Sequence, residues 1–201
     1  LGCAFRFFRL GGRGKDQHSF HPPVSILKPL KGEDRELYEN LASFCAQDYP
    51  IFQILFCVAD PEDPALRVVK RLQKNFPNLD IDTVVSQNTI GCNPKVSNLA
   101  NAYSKVKYDY LLISDSDIRV GRDFLRRTIQ PFQDLKVGLV NCFYRMVPHP
   151  PRKEGSGLGG QLEALSINAH FLGQAVTAAV FGMQFAMGAA ILVRKTVFDK
   201  T

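Results

Sequence analysis

Apolar residues along this chain fall into short unbroken runs that alternate with stretches of helical spacing. The first run, Val24 to Leu27, predicts a buried strand. In the segment GEDRELYENLASFCAQDYP, Leu37, Leu41, Phe44 and Cys45 recur at helical spacing behind acidic residues, and Pro50 follows. That arrangement predicts an amphipathic helix with a favourable N-terminus. The run Gln53 to Val58 is a second strand opening into the turn-like ADPEDP, and Leu66, Val69 and Leu72 mark a helix that stops before Pro77. A third strand, Ile81 to Val85, leads through SQNTIGCNP to a helix bearing Val96, Leu99, Ala100 and Tyr103. The fourth strand is Tyr110 to Ser114.

Short strands alternating with helices predict βαβ units, hence an α/β fold with a parallel sheet covered on both faces. Ligands of such sheets bind beyond the carboxyl ends of the strands. Three loops follow strands in this way: the acidic loop from Asp60, the GCNPK loop near Lys95, and the DSD of Asp115, Ser116 and Asp117. Further on, Arg122 to Gln130 predicts a short helix, VGLVNCFYR a strand, and Val147 to Gly160 a loop rich in Pro and Gly. Ala164 to Val193 contains no Asp, Glu, Lys or Arg, and by length alone would propose a membrane-spanning helix. Asn168, His170, Gln174, Thr177 and Gln184 interrupt it, however, and Gly182, Gly188 and AILV predict helix, turn and strand, with the helix lying against a bilayer.

Composition narrows the class. With 201 residues, 45% hydrophobic and 22% charged, the chain has enough apolar surface for one folded domain, which excludes disorder over most of its length. The five cysteines are odd in number and never form C-x-x-C, which argues against a disulfide framework or structural zinc and for a reducing, cytosol-facing setting. A net charge of +6 suits nucleic acid, anionic headgroups or a phosphate-bearing substrate without choosing among them. The opening LGCAFRFFRL, with Arg6 and Arg9, reads as the cytosolic flank of a transmembrane helix or as a frayed terminus. Residues 1–21 are therefore assigned to a juxtamembrane flank or linker and 22–201 to the domain. A start at Leu1 and an end just after a strand-like run predict a piece of a longer protein.

The DSD carries the chemistry most directly. Two carboxylates at one strand end repel each other unless a cation lies between them, and hard oxygen ligands beside a phosphate point to Mg²⁺ or Mn²⁺. The alternative is a strand-to-turn junction in which Asp115 and Asp117 only satisfy backbone N–H groups. Asp63 precedes Pro64 and reads either as a helix N-cap or, with Asp60, as an acceptor for a uracil N–H or ribose hydroxyls. Lys95 falls in the first turn of a helix, where an ammonium and free N–H groups could hold a phosphate together, or it is a plain surface lysine. Asn98 is a sugar contact or a helix-surface residue. Arg119, Arg122, Arg126 and Arg127 read as a solvated face or a contact for anionic lipid. The four histidines have no metal-ligand arrangement.

The strings VSILKPLKGED, ENLASFCAQDYP, ILFCVADPEDPAL, GCNPKVSNL, DSDIRVGRDFL and VGLVNCFYR, in this order and spacing, resemble family 2 glycosyltransferases of the ceramide glucosyltransferase and bacterial hopanoid-associated type. The resemblance implies a GT-A, Rossmann-like fold with a mostly parallel sheet flanked by helices, incomplete at its C-terminus. It implies a hexosyltransferase that moves a sugar, glucose first among the choices, from a UDP-sugar to a membrane lipid hydroxyl such as ceramide, with inversion. The donor-binding residues would be Asp60, Asp63, Lys95, Asn98, Asp115 and Asp117, with Asp115 and Asp117 holding Mg²⁺ or Mn²⁺. The family's first aspartate corresponds best to Asp63, with Asp60 the second candidate, and its next to Asp115. Many relatives carry DSG, so Asp117 restores a full D-x-D. The family's general base, in an E-D-Y type sequence, and its (Q/R)-x-x-R-W motif are expected beyond Thr201, so no catalytic residue is assigned here and the chain alone is expected to be inactive. The implied partners are the UDP-sugar, the lipid acceptor and the membrane surface, with no nucleic acid, in a membrane-associated protein whose domain faces the cytosol. The competing readings are a hopanoid acceptor with UDP-N-acetylglucosamine, a nucleotidyltransferase, and a non-catalytic membrane-peripheral module. The nucleotidyltransferase is poorly served by KPLKGED, where a Gly-rich basic loop would be needed.

Overall fold

The computed structural model describes residues 20–147, 157–183, 186 and 189–200, so the expected N-terminal flank, apart from Phe20 and His21, and most of the Pro- and Gly-rich loop lie outside the described residues. Their contacts gather into two compact units, one formed by the residues before Phe143 together with those after Ala186, the other by Phe143–Ala186.

In the first unit, β1 (Val24–Leu30), β2 (Phe52–Val58), β3 (Asp80–Val85) and β4 (Tyr110–Ser114) alternate with helices α1 (Leu37–Cys45), α2 (Ala65–Asn75) and α3 (Pro94–Tyr103). The four strands pair in parallel in the order β3-β2-β1-β4. Beyond β4 the chain adds α4 (Phe124–Ile129), a 3₁₀ turn (Gln130–Gln133) and β5 (Leu139–Asn141), and it returns after the second unit as β6 (Ala190–Arg194) and α7 (Lys195–Phe198). Strand β6 lies antiparallel between β4 and β5, completing the order β3-β2-β1-β4-β6-β5. The sheet is thus mostly parallel, as expected, with one reversed strand next to β4.

The strand alternation of period two sorts side chains onto two faces. Val24, Ile26, Leu30, Ile54 and Phe56 pack with Leu41 and Phe44 of α1, Val69 and Leu72 of α2, and Leu125 and Ile129 of α4. On the other face Leu27, Leu111 and Val193 meet Leu99 and Tyr103 of α3 and Phe198 of α7. Buried polar residues on the strands are satisfied within the sheet's neighbourhood. The Ser25 hydroxyl donates to Gln53 Oε1 at 2.7 Å and accepts from the Tyr108 N–H at 3.1 Å, and Gln53 Oε1 also accepts from the Lys107 N–H at 2.7 Å.

β2 and β3 each begin one residue earlier than the sequence reading, and two other strands differ more. β1 continues past Leu27 to Leu30 because Lys28, Pro29 and Leu30 stay in register with Phe56, Cys57 and Val58 of β2. Pro29, which has no N–H to give, lies past the last β1–β4 pair, Leu27 with Ile113. The strand expected over VGLVNCFYR shrinks to Leu139–Asn141, because it is the last strand of the sheet and its one partner, β6, begins at Ala190.

The second unit contains helix α5 (Gly157–Leu165), a π-helical segment (Ser166–Phe171) and helix α6 (Leu172–Val180). The helix thus starts inside the stretch expected to be loop up to Gly160. The wide π turn carries Asn168, whose side chain accepts from the Met146 N–H at 2.7 Å and donates to the Met146 carbonyl at 2.8 Å. A positive φ of 80° at Gly182 follows α6, and β6 comes after, so the charge-free segment is helix, turn and strand. Among the described residues no helix is long and apolar enough to cross a membrane.

Candidate donor-binding site

The site is built at the carboxyl ends of β1, β2 and β4 and the N-terminus of α3. β4 delivers Asp115 directly: its N–H donates to the Ala189 carbonyl at 3.0 Å, and its carbonyl closes a turn with the Ile118 N–H at 3.4 Å. That turn carries Asp117 into solvent while Asp115 stays half-buried. The two carboxylates are therefore presented together at one strand end.

Lys95 approaches them from α3. Asn93 caps this helix, its side-chain oxygen accepting from the Lys95 N–H at 3.0 Å and the Val96 N–H at 3.4 Å, and Pro94 occupies the first helical position. Ser97 ties down the preceding loop, donating to the Ile90 carbonyl and accepting from the Ile90 N–H, both at 2.9 Å. So held, the Lys95 ammonium pairs with the Asp115 carboxylate. Both side chains keep over a third of their surface exposed, so the pair is open to solvent. Asn98 is half-buried on the same helix three residues on, and no described hydrogen bond of its side chain brings it to Asp115.

The aspartates of the ADPEDP loop serve the backbone. Asp63 caps α2 through the Ala65 N–H at 2.8 Å, and both of its carboxylate oxygens accept from the Gly32 N–H at 3.0 Å. Gly32 has a φ of 75°, where a side chain is strained, so the loops after β1 and β2 are joined at a position suited to glycine. Asp60 is exposed and accepts from the Glu62 N–H at 2.9 Å. The Asp63 contacts are those of the helix cap that the sequence offered as one of its two readings, and the Asp60 contact is that of a turn.

Lys28 is the residue the sequence reading passed over. It was placed just past a strand ending at Leu27; inside β1, it is fully buried on the α1 face. Its ammonium donates to the Asp115 carbonyl at 2.7 Å and to the Ser114 hydroxyl at 3.2 Å, and lies 3.5 Å from the centroid of the Phe44 ring. Burial drives it well below the usual lysine value, while the charges of Asp115 and Asp117 push the other way. The available signal was a lysine inside an otherwise apolar run, VSILKPL, a pattern that is costly unless the ammonium has partners.

Three of the four arginines after the DSD make polar contacts within the fold, while Arg122 is exposed. Arg119 donates to Asn40 Oδ1 at 3.1 Å and to Glu36 at 3.0 Å, Arg126 pairs with Asp48, and Arg127 pairs with Asp123. Glu36, Asn40, Ser43 and Gln47 form one stripe along α1 and just beyond it. Ser43 accepts from the Val120 N–H, and Gln47 bonds the Gly121 carbonyl and the Leu125 N–H. The segment after the DSD is thus laid along α1.

The donor set fits a divalent cation of the Mg²⁺ or Mn²⁺ kind. Among the described residues no three His, Cys, Asp or Glu side chains gather into a metal cage. Such ions are commonly held by one or two carboxylates, water and substrate phosphates, and Asp115 and Asp117 supply that number.

Residues 2–201 match the sequence model of glycosyl transferase family 21. The chain is 37% identical over 123 residues to ceramide glucosyltransferase 3 of Caenorhabditis elegans, covering 61% of this chain and 27% of that protein. It is 43% identical over 97 residues to ceramide glucosyltransferase 1 of the same organism, covering 48% and 21%. The chain thus spans about a quarter of the length of these curated relatives. In three dimensions it resembles a mannosyltransferase from Pyrobaculum calidifontis, solved with GDP-mannose and Mn²⁺, with a TM-score of 0.70 at 17% identity over 98% of this chain and 52% of that one. That likeness establishes the GT-A fold. With relatives of the type its motifs resemble and a family match over nearly its whole length, the chain belongs to glycosyl transferase family 21.

Proposed function

We propose that this chain forms the donor-binding half of an inverting hexosyltransferase that moves glucose from a UDP-sugar to the hydroxyl of a membrane lipid such as ceramide. The observation that carries the reading is the solvent-exposed Lys95–Asp115 pair, which joins the α3 N-terminus to the end of β4. An ammonium there neutralises one carboxylate and is placed to transfer to a diphosphate when a cation occupies the aspartates. Asp115 and Asp117 hold the cation; Lys95 and the first-turn N–H groups of α3 hold the diphosphate; Asn98 lies one turn on, at reach of the sugar. Asp63 and Asp60 order the loop that would receive the nucleoside, and their remaining lone pairs accept from it. A divalent cation, when bound, supplies neutralisation of the departing diphosphate. In the transfer, the acceptor oxygen bonds to the anomeric carbon on the face opposite UDP, and the bond from that carbon to the diphosphate breaks with its electron pair staying on UDP. The acceptor hydroxyl gives up its proton to a base that is none of the residues named here. The protein works at a membrane surface, with this chain on the cytosolic side.

Calorimetry with UDP and Mn²⁺ on the intact protein tests the reading. UDP binds only with the metal, and Asp115→Asn or Asp117→Ala weakens it on the order of 100-fold or more, at least the loss seen for residues that merely support metal ligands. A folded protein that binds UDP equally well without metal, or with Asp117→Ala, overturns it.

A further inference from the structure

Lys28 is the largest fully buried side chain among the described residues. A lysine in that position is expensive, since its amino group loses all contact with water; in exchange it has two neutral oxygens, an aromatic face and the attraction of the Asp115 and Asp117 carboxylates. Its neighbours on the same strand face, Ile26 and Leu30, are ordinary apolar core. A methionine of similar volume would fill the space without that cost. The fold therefore does not explain the charge.

Its position does. Both oxygens it holds belong to the residues that end β4, Ser114 and Asp115. The turn that presents Asp117 is closed by an Asp115 carbonyl to Ile118 N–H bond of 3.4 Å, long for a hydrogen bond, whereas the Lys28 contact to the same carbonyl is 2.7 Å. The Asp115 peptide is fixed on its other side by the Ala189 carbonyl. Lys28 is thus the shortest of the three contacts to this carbonyl, the others being the Ile118 N–H and the Ser114 hydroxyl, both at 3.4 Å.

We propose that Lys28 is a positioning residue for the donor site: its ammonium holds the Asp115 carbonyl and the Ser114 hydroxyl so that the turn Asp115–Ile118 presents both carboxylates to a cation and a diphosphate. This rests on the donor-binding reading above. The residue itself touches neither ligand; it orients the groups that do, in the way that outer partners orient metal ligands.

The experiment measures two quantities on the intact protein: its melting temperature, and its affinity for UDP at saturating Mn²⁺. Lys28→Met removes the donor and the buried charge at nearly constant volume. The Asp115 carbonyl keeps its Ile118 partner and the Ser114 hydroxyl can still donate to that carbonyl, so no polar group is orphaned. The expected result is a melting temperature equal to or above the parent's, with UDP bound about 10- to 100-fold more weakly, the range for loss of an outer-shell partner. Ser114→Ala, which removes only one of the ammonium's two anchors, is expected to weaken UDP in the same direction by a smaller factor. UDP affinity unchanged in folded Lys28→Met overturns the proposal. So does an affinity lost together with the fold in Lys28→Met while Ser114→Ala binds like the parent, since Lys28 is then only a structural residue. A parent protein that binds no UDP with Mn²⁺ is a different failure, that of the donor-binding reading itself, and is read before either variant is made.

Discussion

The thiols of Cys45, Cys57 and Cys142 sit in surroundings that push each up to about 12, in every case through burial, so at neutral pH none has an appreciable thiolate fraction. Cys92 is exposed in the loop before α3. Alkylation of the folded protein at pH 8 is expected to modify Cys92 first among these four, with Cys45 and Cys57 reacting only on denaturation. Peptide mapping by mass spectrometry checks the order, and early labelling of Cys45 or Cys57 contradicts the packing described for the sheet. Asp63 shows the same dependence of chemistry on surroundings. Its carboxylate is bonded to two backbone N–H groups, Gly32 in the loop after β1 and Ala65 at the start of α2, so it ties those two segments together.

At the scale of elements, α1 matters as much as the strands that carry the aspartates. Gln47 lies at its end and is buried, with its amide bonded to the Ser43 and Gly121 carbonyls at 2.9 and 2.8 Å and its oxygen to the Leu125 N–H at 3.0 Å. Gln47→Ala leaves the Leu125 N–H and the Gly121 carbonyl without these partners. The expected loss is about 1–3 kcal/mol, the range for an unsatisfied buried group, read as a lower denaturation midpoint with unchanged slope. A loss below ~0.5 kcal/mol would show that water replaces Gln47 there. These tertiary bonds are also where the sequence was hardest to read. The positions of α1, α2 and β4 follow from local periodicity, because Leu41, Phe44, Val69 and Leu112 each announce a buried face; in α3, by contrast, Val96 and Ala100 are exposed while Ser97 and Ala102 are buried. That Asp115 would meet Lys95 was suggested only by the rule that loops at carboxyl strand ends converge. That Arg119 would bond Asn40, or Lys28 the Asp115 carbonyl, depends on partners far apart in the chain. No local pattern encodes those.

For the whole molecule, the segment Phe143–Ala186 forms its own unit and exposes large apolar side chains, Leu162, Leu165, Phe181 and Met183, within a stretch whose charges are few. Soluble surfaces carry single apolar residues routinely, but several in a short, nearly charge-free helical unit suit the interface of a bilayer. If the protein acts on a lipid, flotation with phosphatidylcholine vesicles is expected to carry the chain upward, and Leu165→Asp together with Phe181→Asp to leave it at the bottom. Equal flotation of the double variant would assign membrane contact to other residues.

The reversed strand beside β4 has a consequence in time. β6 is made roughly 75 residues after β4, and at about 5–20 residues per second of synthesis that is several seconds. Through that interval β4, the strand that carries Ser114 into Asp115, has β1 on one side and a raw edge on the other. Such an edge recruits other strands. A nascent chain of this protein is therefore most vulnerable to mispairing at the strand its chemistry depends on, and any form of it ending before Ala190 would keep that edge permanently.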